Sequence, residues 1–289
     1  MAIDVLDEWE SGDGALGNVS LEQKLAARIG LSRDRLQALF ARWAGGDLSR
    51  FVQALGVSHT RKRLLETRAL LLAACRWPDI LQAGSPQATE GGLRVRLLPT
   101  EQGKGQSKGA GKGGEAKTSG LTITYGCYPS PFGECFLAMA GQEICSLSFV
   151  DGREWQSHRD ELAHCWPQAT IIADEGEDGR QIMARIFTRS GGADSRQPLR
   201  LLLQGTLFQI RVWQALLALP RGTLISYQDL AVYIGHPNAC RAVAGAVAAN
   251  PVAWLVPCHR VIRKSGEIHQ YRWGRSRKKA MLGWEACQL

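Results

Sequence analysis

No uninterrupted apolar run of 18 or more residues occurs anywhere in the chain, which excludes an ordinary membrane-spanning helix. The N-terminus, MAIDVLDEWESGDG, is acidic and has no apolar core, so no secretory leader is read there. CxxC pairs are absent. The eight cysteines are scattered without zinc-like spacing, and the first is Cys75. That argues against a disulfide framework or a metal centre, and the expected state is reduced thiols in a cytoplasmic protein. Acidic charge is in deficit. Lys and Arg total 35 against 27 Asp and Glu, a formal net charge of +8, and such a surplus points toward a polyanion, most often nucleic acid.

What is present is a foldable composition, 45% hydrophobic and 21% charged. A length of 289 residues allows roughly two domains, each with a real core. The pattern divides the chain into an acidic tail (1–17), a helical region (18–77), a Gly/Lys-rich spacer (78–119), a small mixed sheet with helices (120–204) and a mainly helical C-terminal region (205–289). The expected fold class is α+β.

In the helical region, Ser32 is placed to cap LSRDRLQALFARWAG, with Leu36, Leu39, Phe40 and Trp43 on one face and Gly45-Gly46 as the stop. Further helices are expected over about 48–55 and 58–75. A helix, a short Gly turn and a second helix bearing Arg33, Arg35 and Arg42 fit a helix-turn-helix, and fit an ordinary small bundle equally well. The run from Gln102 to Gly120 has no apolar residue beyond alanine and reads as a flexible linker. LTITYGCY, ECFLAMA and EICSLSF read as strands, as do ATIIA and PLRLLLQG, with helices over about 154–165 and 178–188. In the last region FQIRVWQALLAL is amphipathic, and Ser226 caps SYQDLAVYIG with Asp229 three residues on.

Two C-terminal features carry chemistry. ACRAVAGAVAAN, residues 239–250, is built almost wholly from Ala, Gly and Val, with the single cation Arg241. Small side chains such as Ala242 and Gly245 let a helix backbone approach another surface closely. That surface is either a packed core or a nucleic-acid groove, where one long side chain enters the base stack. The second feature is VPCHRVI. A thiol is a useful nucleophile as thiolate, and a nearby imidazole can take its proton. Cys258 and His259 are adjacent, so they cooperate only on an irregular turn, which Pro257 helps to fix. Taken alone, a Cys-His pair is more often structural.

Taken together, GTLFQIRVWQALLALPRGTLISYQDLAVYIG and CRAVAGAVAANPVAWLVPCHRVIRKSGEIHQYRWG resemble the O6-alkylguanine-DNA alkyltransferases. The resemblance covers about residues 121–289. SGLTITYGCYPSPFGECFLAMA is similar to the sheet domain of the bacterial adaptive-response type, and residues 20–76 resemble the first half of its AraC-type helix-turn-helix region. The resemblance implies an N-terminal AraC-like helix-turn-helix, a ribonuclease-H-like α/β domain and a winged-helix-like catalytic domain. It implies Cys258 as alkyl acceptor, His259 as its base through a water, and Glu285 as the carboxylate orienting that histidine. Tyr227 is implied to bond the flipped base, Arg241 to fill the vacated stack, Asn250 to hold the turn before the active-site loop, and Tyr271 to lie on the loop that closes over the base. The implied partner is double-stranded DNA containing O6-alkylguanine, bound by a monomer through the minor groove, with no membrane, metal or organic cofactor. The expected activity is that of a methylated-DNA–[protein]-cysteine S-methyltransferase acting once per molecule.

Two departures bear on function. His269-Gln270 stands where the family carries a small pair such as Ser-Gly; the larger side chains either turn outward with little effect, narrow the pocket so that it takes methyl and rejects benzyl, or abolish transfer while lesion binding is retained. With no cysteine before Cys75, the resemblance extends to a form without the four-cysteine zinc sensor. The alternatives are a DNA-binding regulator or non-catalytic lesion binder, and a Cys-His hydrolase, which gives no reason for the Ala-rich helix.

Overall fold

The computed structural model describes residues 26–73, 87–88, 93–100, 120–152, 155–174, 177–187 and 198–289. The acidic tail and all but the last glycine of the Gly/Lys run lie outside them. The architecture mixes helices with a mixed sheet, and the chain forms two compact units. One comprises Met1–Arg76, Leu219–Ala244 and Cys258–Leu289; the other comprises Trp77–Ala218 and Gly245–Pro257. Among the described residues no helix is long and apolar enough to cross a membrane.

In the first unit residues 26–29 are helical, and helix α1 (Arg33–Ala44) follows the turn at Gly30. Ser32 caps it from an extended backbone by accepting from the Arg35 amide at 3.3 Å, and Gly45 ends it at φ 77°. Leu36, Phe40 and Trp43, at i, i+4 and i+7, form the inward stripe. Phe40 and Trp43 pack edge-on at ring centroids 5.4 Å apart, and both meet Phe51 of α2 (Leu48–Leu55). Leu39, expected on that face, is 48% exposed, because the stripe is centred on Phe40 rather than on Leu36. Asp47 caps α2 through the Ser49 amide at 2.8 Å, and α3 (Val57–Ala73) follows.

The second unit is built on a seven-stranded sheet: β1 (Gln87–Ala88), β2 (Arg94–Pro99), β3 (Thr122–Ser130), β4 (Gly133–Ala140), β5 (Glu143–Val150), β6 (Thr170–Ala173) and β7 (Arg200–Gly205). The order is β1-β2-β7-β5-β4-β3-β6. The β3-β4-β5 meander is antiparallel, while β2, β7 and β5 are parallel neighbours, as are β3 and β6. Residues 94–99 fall within the stretch that the composition assigned to a spacer. They form β2 instead, paired from Arg94↔Arg200 to Pro99↔Gly205, with Val95 and Leu97 buried. The alternation of Arg with Val and Leu is a period-two strand signal, overshadowed by the Gly/Lys run beyond it.

Helix α4 (Trp155–Cys165) lays Leu162 on one sheet face beside Ile123, Phe136, Ala138 and Leu202, and α5 (Glu177–Ile186) follows β6. Helix α6 (Leu207–Leu217) begins with a full capping box, Thr206 and Gln209 bonding each other's backbones. The chain then re-enters the first unit through β8 (Ile225–Ser226), α7 (Tyr227–Tyr233), most of α8 (Cys240–Ala248), a single turn of 3-10 helix (Cys258–Arg260), β9 (Val261–Ile262) and α9 (Arg275–Ala286).

Candidate active site

Two backbone devices place the chemistry. The first is the parallel pairing of β8 with β9, Ile225↔Val261 and Ser226↔Ile262. Tyr227 leaves β8 at the end where Arg263 leaves β9, and Cys258-His259-Arg260 enter β9 at the other end; the pair is only two residues long, so Tyr227 still feels the charge of a Cys258 thiolate. Ser226 fixes the start of α7 by accepting from the Asp229 amide at 3.0 Å, and its hydroxyl donates to the Asp229 carboxylate at 2.6 Å. The second device is the turn before Cys258. Asn250, fully buried, donates from Nδ2 to the Val256 carbonyl at 2.9 Å and accepts from the Val252 amide at 3.0 Å. The Ala253 amide donates to the Leu147 carbonyl of β5 at 2.7 Å, which ties this turn to the sheet. Trp254 sits at φ 66°, held between Phe132 and Phe187 at ring centroids 5.2 and 5.8 Å. A bulky residue in that region is strained, and the aromatic packing sustains it.

The 3-10 turn is the irregular backbone that the adjacent Cys and His require. Cys258 and His259 are both buried, at 2% and 0% exposure. His259 Nε2 lies 3.2 Å from Glu285 Oε1 on α9. A carboxylate there accepts a proton-bearing Nε2, so the imidazole lone pair belongs to Nδ1. Glu285 is gripped a second time by Arg260, whose Nε and Nη2 donate at 3.0 and 2.6 Å. Arg260 Nη1 also donates to the Leu219 carbonyl at 3.0 Å.

The electrostatics follow. Burial works to raise the Glu285 carboxyl, but Arg260 and His259 outweigh it and hold it far below the usual carboxylate range. Burial lowers His259, against the pull of Glu285, so the imidazole is neutral near pH 7. A neutral imidazole backed by a fixed carboxylate can accept a proton from a thiol. Tyr227 is raised by burial and by the charge of a Cys258 thiolate, so it keeps its proton as a donor. Cys258 Sγ lies 3.7 Å from the Tyr271 hydroxyl, which in turn points to Met281 Sδ at 3.7 Å.

The structure thus gathers Cys258, His259, Glu285, Tyr227 and Tyr271. It places Arg241, Ala242 and Gly245 on the exposed face of α8, while Val243, Ala246 and Val247 are buried on the other. Of the pair before Tyr271, His269 is half-buried and Gln270 is exposed. Sequence reasoning assigned no role to Arg260 or Lys278. Lys278 is 1% exposed, donates from Nζ to the Val261 carbonyl at 2.6 Å and lies 5.9 Å over the Tyr271 ring. Its only sequence trace is a Lys-Lys pair, which reads as a solvated face. Among the described residues no group of three or more His, Cys, Asp or Glu is placed to hold a metal ion.

Residues 207–287 match the family described as 6-O-methylguanine DNA methyltransferase, DNA binding domain. The regulatory protein Ada of Salmonella typhimurium is 34% identical over 91% of this chain and 69% of its own length. The bifunctional transcriptional activator/DNA repair enzyme Ada of Escherichia coli is 33% identical over 93% of this chain and 71% of its own length. The methylated-DNA–protein-cysteine methyltransferase of Mycobacterium leprae is 36% identical over 55% of this chain and 90% of its own length. With a buried Cys-His-Glu cluster in the region that matches, and relatives above 30% identity covered over more than two thirds of their length, the chain belongs to the methylated-DNA–protein-cysteine methyltransferase family.

Proposed function

We propose that this protein repairs DNA by direct reversal, moving the alkyl group of O6-alkylguanine onto Cys258 in a single turnover. The observation that carries the reading is the buried Cys258 thiol next to a neutral His259 whose Nε2 is engaged by Glu285. The thiol proton passes to His259, directly or through one water. The sulfur then attacks the alkyl carbon in line, the S–C bond forms as the C–O6 bond breaks, and the electron pair stays on O6. Tyr227, kept protonated by burial, donates a hydrogen bond to the departing guanine, which takes up one proton, equal to the one the thiol gave up, and leaves as a neutral base. The product is a thioether, and none of the gathered groups cleaves it.

The alkyl carbon is hidden within a duplex, so the nucleotide must rotate out. The exposed small-residue face of α8 suits close approach to a minor groove, with Arg241 filling the vacated stack and Asn250 holding the turn that leads to the nucleophile. The partner is a duplex containing the lesion, bound by a monomer. The AraC-like, ribonuclease-H-like and winged-helix-like assignments belong to the same reading. Any selectivity for methyl over benzyl falls on the half-buried His269, since Gln270 is exposed.

Intact mass after incubation with O6-methylguanine duplex tests the reading. One added methylene unit on Cys258, absent in Cys258→Ser, is the expected result; repeated turnover with an unmodified cysteine refutes it. A second reading, DNA-binding regulation, is favoured by the exposed Arg33, Arg35 and Arg42 of α1 and by the activator named among the relatives.

A further inference from the structure

The N-terminal helices belong to the same compact unit as the candidate catalytic elements, and their contacts converge on those elements. Phe51 of α2, 2% exposed, lays its ring against α9 at Gly283, where an added Cβ would run into the ring. The next residue, Trp284, donates from Nε1 to the Trp43 carbonyl at 3.0 Å, and Cys287 Sγ donates to the Asp47 carbonyl at 3.7 Å. Glu285 lies between these anchors. The last turn of α9 is therefore held by α1, α2 and the link between them.

Helix α3 reaches the other side of the cluster. Thr60, fully buried, directs its hydroxyl to the Gly266 carbonyl at 2.6 Å, and Arg61 Nε donates to the Ser265 carbonyl at 2.6 Å. Gly266 sits at φ 86° and a Cβ there would meet Arg61 Cγ at 2.7 Å, so the fit is close. This turn leads into the segment that carries Tyr271. Arg68 lies 3.8 Å from Asp229 of α7, the helix that Tyr227 begins. A cavity of about 30 Å³ lies between His59 and Arg63 of α3 and Leu282 and Glu285 of α9, room for about one water.

We infer that α2 and α3 are a brace for the catalytic elements, with Phe51 as the positioning residue for Glu285 and Thr60 as the positioning residue for Tyr271. The inference rests on the alkyl-transfer reading and adds to it that the helix-turn-helix-like segment is part of the reacting unit. Removing the Phe51 ring frees the last turn of α9 and loosens the His259–Glu285 bond. Removing the Thr60 hydroxyl frees the Gly266 turn and displaces Tyr271 from Cys258.

Single-turnover kinetics on the full chain, with saturating O6-methylguanine duplex, separate positioning from mere stability. The burst amplitude counts folded molecules, and the rate constant reports geometry within them. Phe51→Ala and Thr60→Val should each lower the rate constant about ten- to a hundredfold. Lesion-duplex affinity, measured in a Cys258→Ser background, should change by less than about threefold, and Thr60→Ser should restore the rate. Wild-type rate constants with reduced amplitude would show a structural role only and overturn the brace. A wild-type control that takes up no methyl group overturns the alkyl-transfer reading and the brace with it, whereas normal wild-type transfer with unaffected variants overturns the brace alone.

Discussion

Helices α8 and α9 invert what their compositions suggest. CRAVAGAVA is nearly free of polar side chains, yet Cys240, Arg241, Ala242, Gly245 and Ala248 are exposed. RSRKKAMLGWEA carries four cations, yet Ser276 and every residue from Lys278 to Trp284 are buried. The difference lies in what the charges meet. Lys278 donates to the Val261 carbonyl at 2.6 Å, Arg275 to Ile268 at 3.0 Å and Arg277 to Trp273 at 2.6 Å. The cations of α9 thus hold the backbone of the segment that carries Tyr271. Helix α8 has only small side chains to bury and presents a smooth face with one long cation. Composition reports transfer cost for isolated side chains, and hydrogen-bonding partners decide where a charge can sit.

The sharpest way to break this contrast is to remove one partner of the buried network. Glu285→Ala leaves Arg260 charged and unpaired, and should cost about 3–5 kcal/mol in urea unfolding. A loss below about 1 kcal/mol would mean that water reaches the site. Lys278 tests the same idea through pH. Burial pushes its ammonium down to about 8 from 10.5, against the pull of the Cys258 thiolate. The folded pKa is depressed, so the group destabilises the fold below pH 8, and this penalty fades as pH rises toward 10.5. Two and a half units correspond to roughly 3 kcal/mol. The stability of Lys278→Met relative to wild type should therefore fall between pH 7.5 and pH 10; a pH-independent difference would contradict it.

On α8 the expectations turn from stability to DNA. Arg241→Ala should leave unfolding within about 0.5 kcal/mol of wild type. It should slow transfer from duplex about tenfold while transfer from the free base is unchanged. Equal rates on duplex would remove Arg241 from base extrusion. The smallest effect is at Gly245, where an added Cβ meets nothing. Gly245→Ala should stabilise by about 0.5–1 kcal/mol through helix propensity. Destabilisation would show that this face is covered in the free protein.

Much of the local structure was legible. Helix α2 falls at the bounds its apolar pattern gives, Ser32 caps the helix it is placed before, and Ser226 caps where its spacing from Asp229 predicts. The β3-β4-β5 meander follows from short strand-like runs separated by turn residues, with β4 and β5 buried almost continuously rather than alternately. Strand β2 was not legible, because its period-two pattern is only six residues long and borders a low-complexity run. At the candidate site, Cys258, His259, Glu285, Tyr227 and Tyr271 came from the motif resemblance, and all five lie in the first unit. Arg260 stands within that motif, but nothing local marks Glu285 as its partner, and Lys278 is hidden in a basic run.

Local sequence dictated the caps, the strand-and-turn pattern of the meander and the adjacency of a thiol and an imidazole on a turn. Those depend on hydrogen bonds and sterics within a few residues. Which charges enter the core, and what anchors the helix bearing Glu285, depends on contacts between distant parts of the chain. The partner of Lys278 lies 17 residues away, and the carbonyl that holds Trp284 lies 241 residues away. A buried charge is tolerable only where a distant acceptor is already fixed, and no local pattern records that meeting.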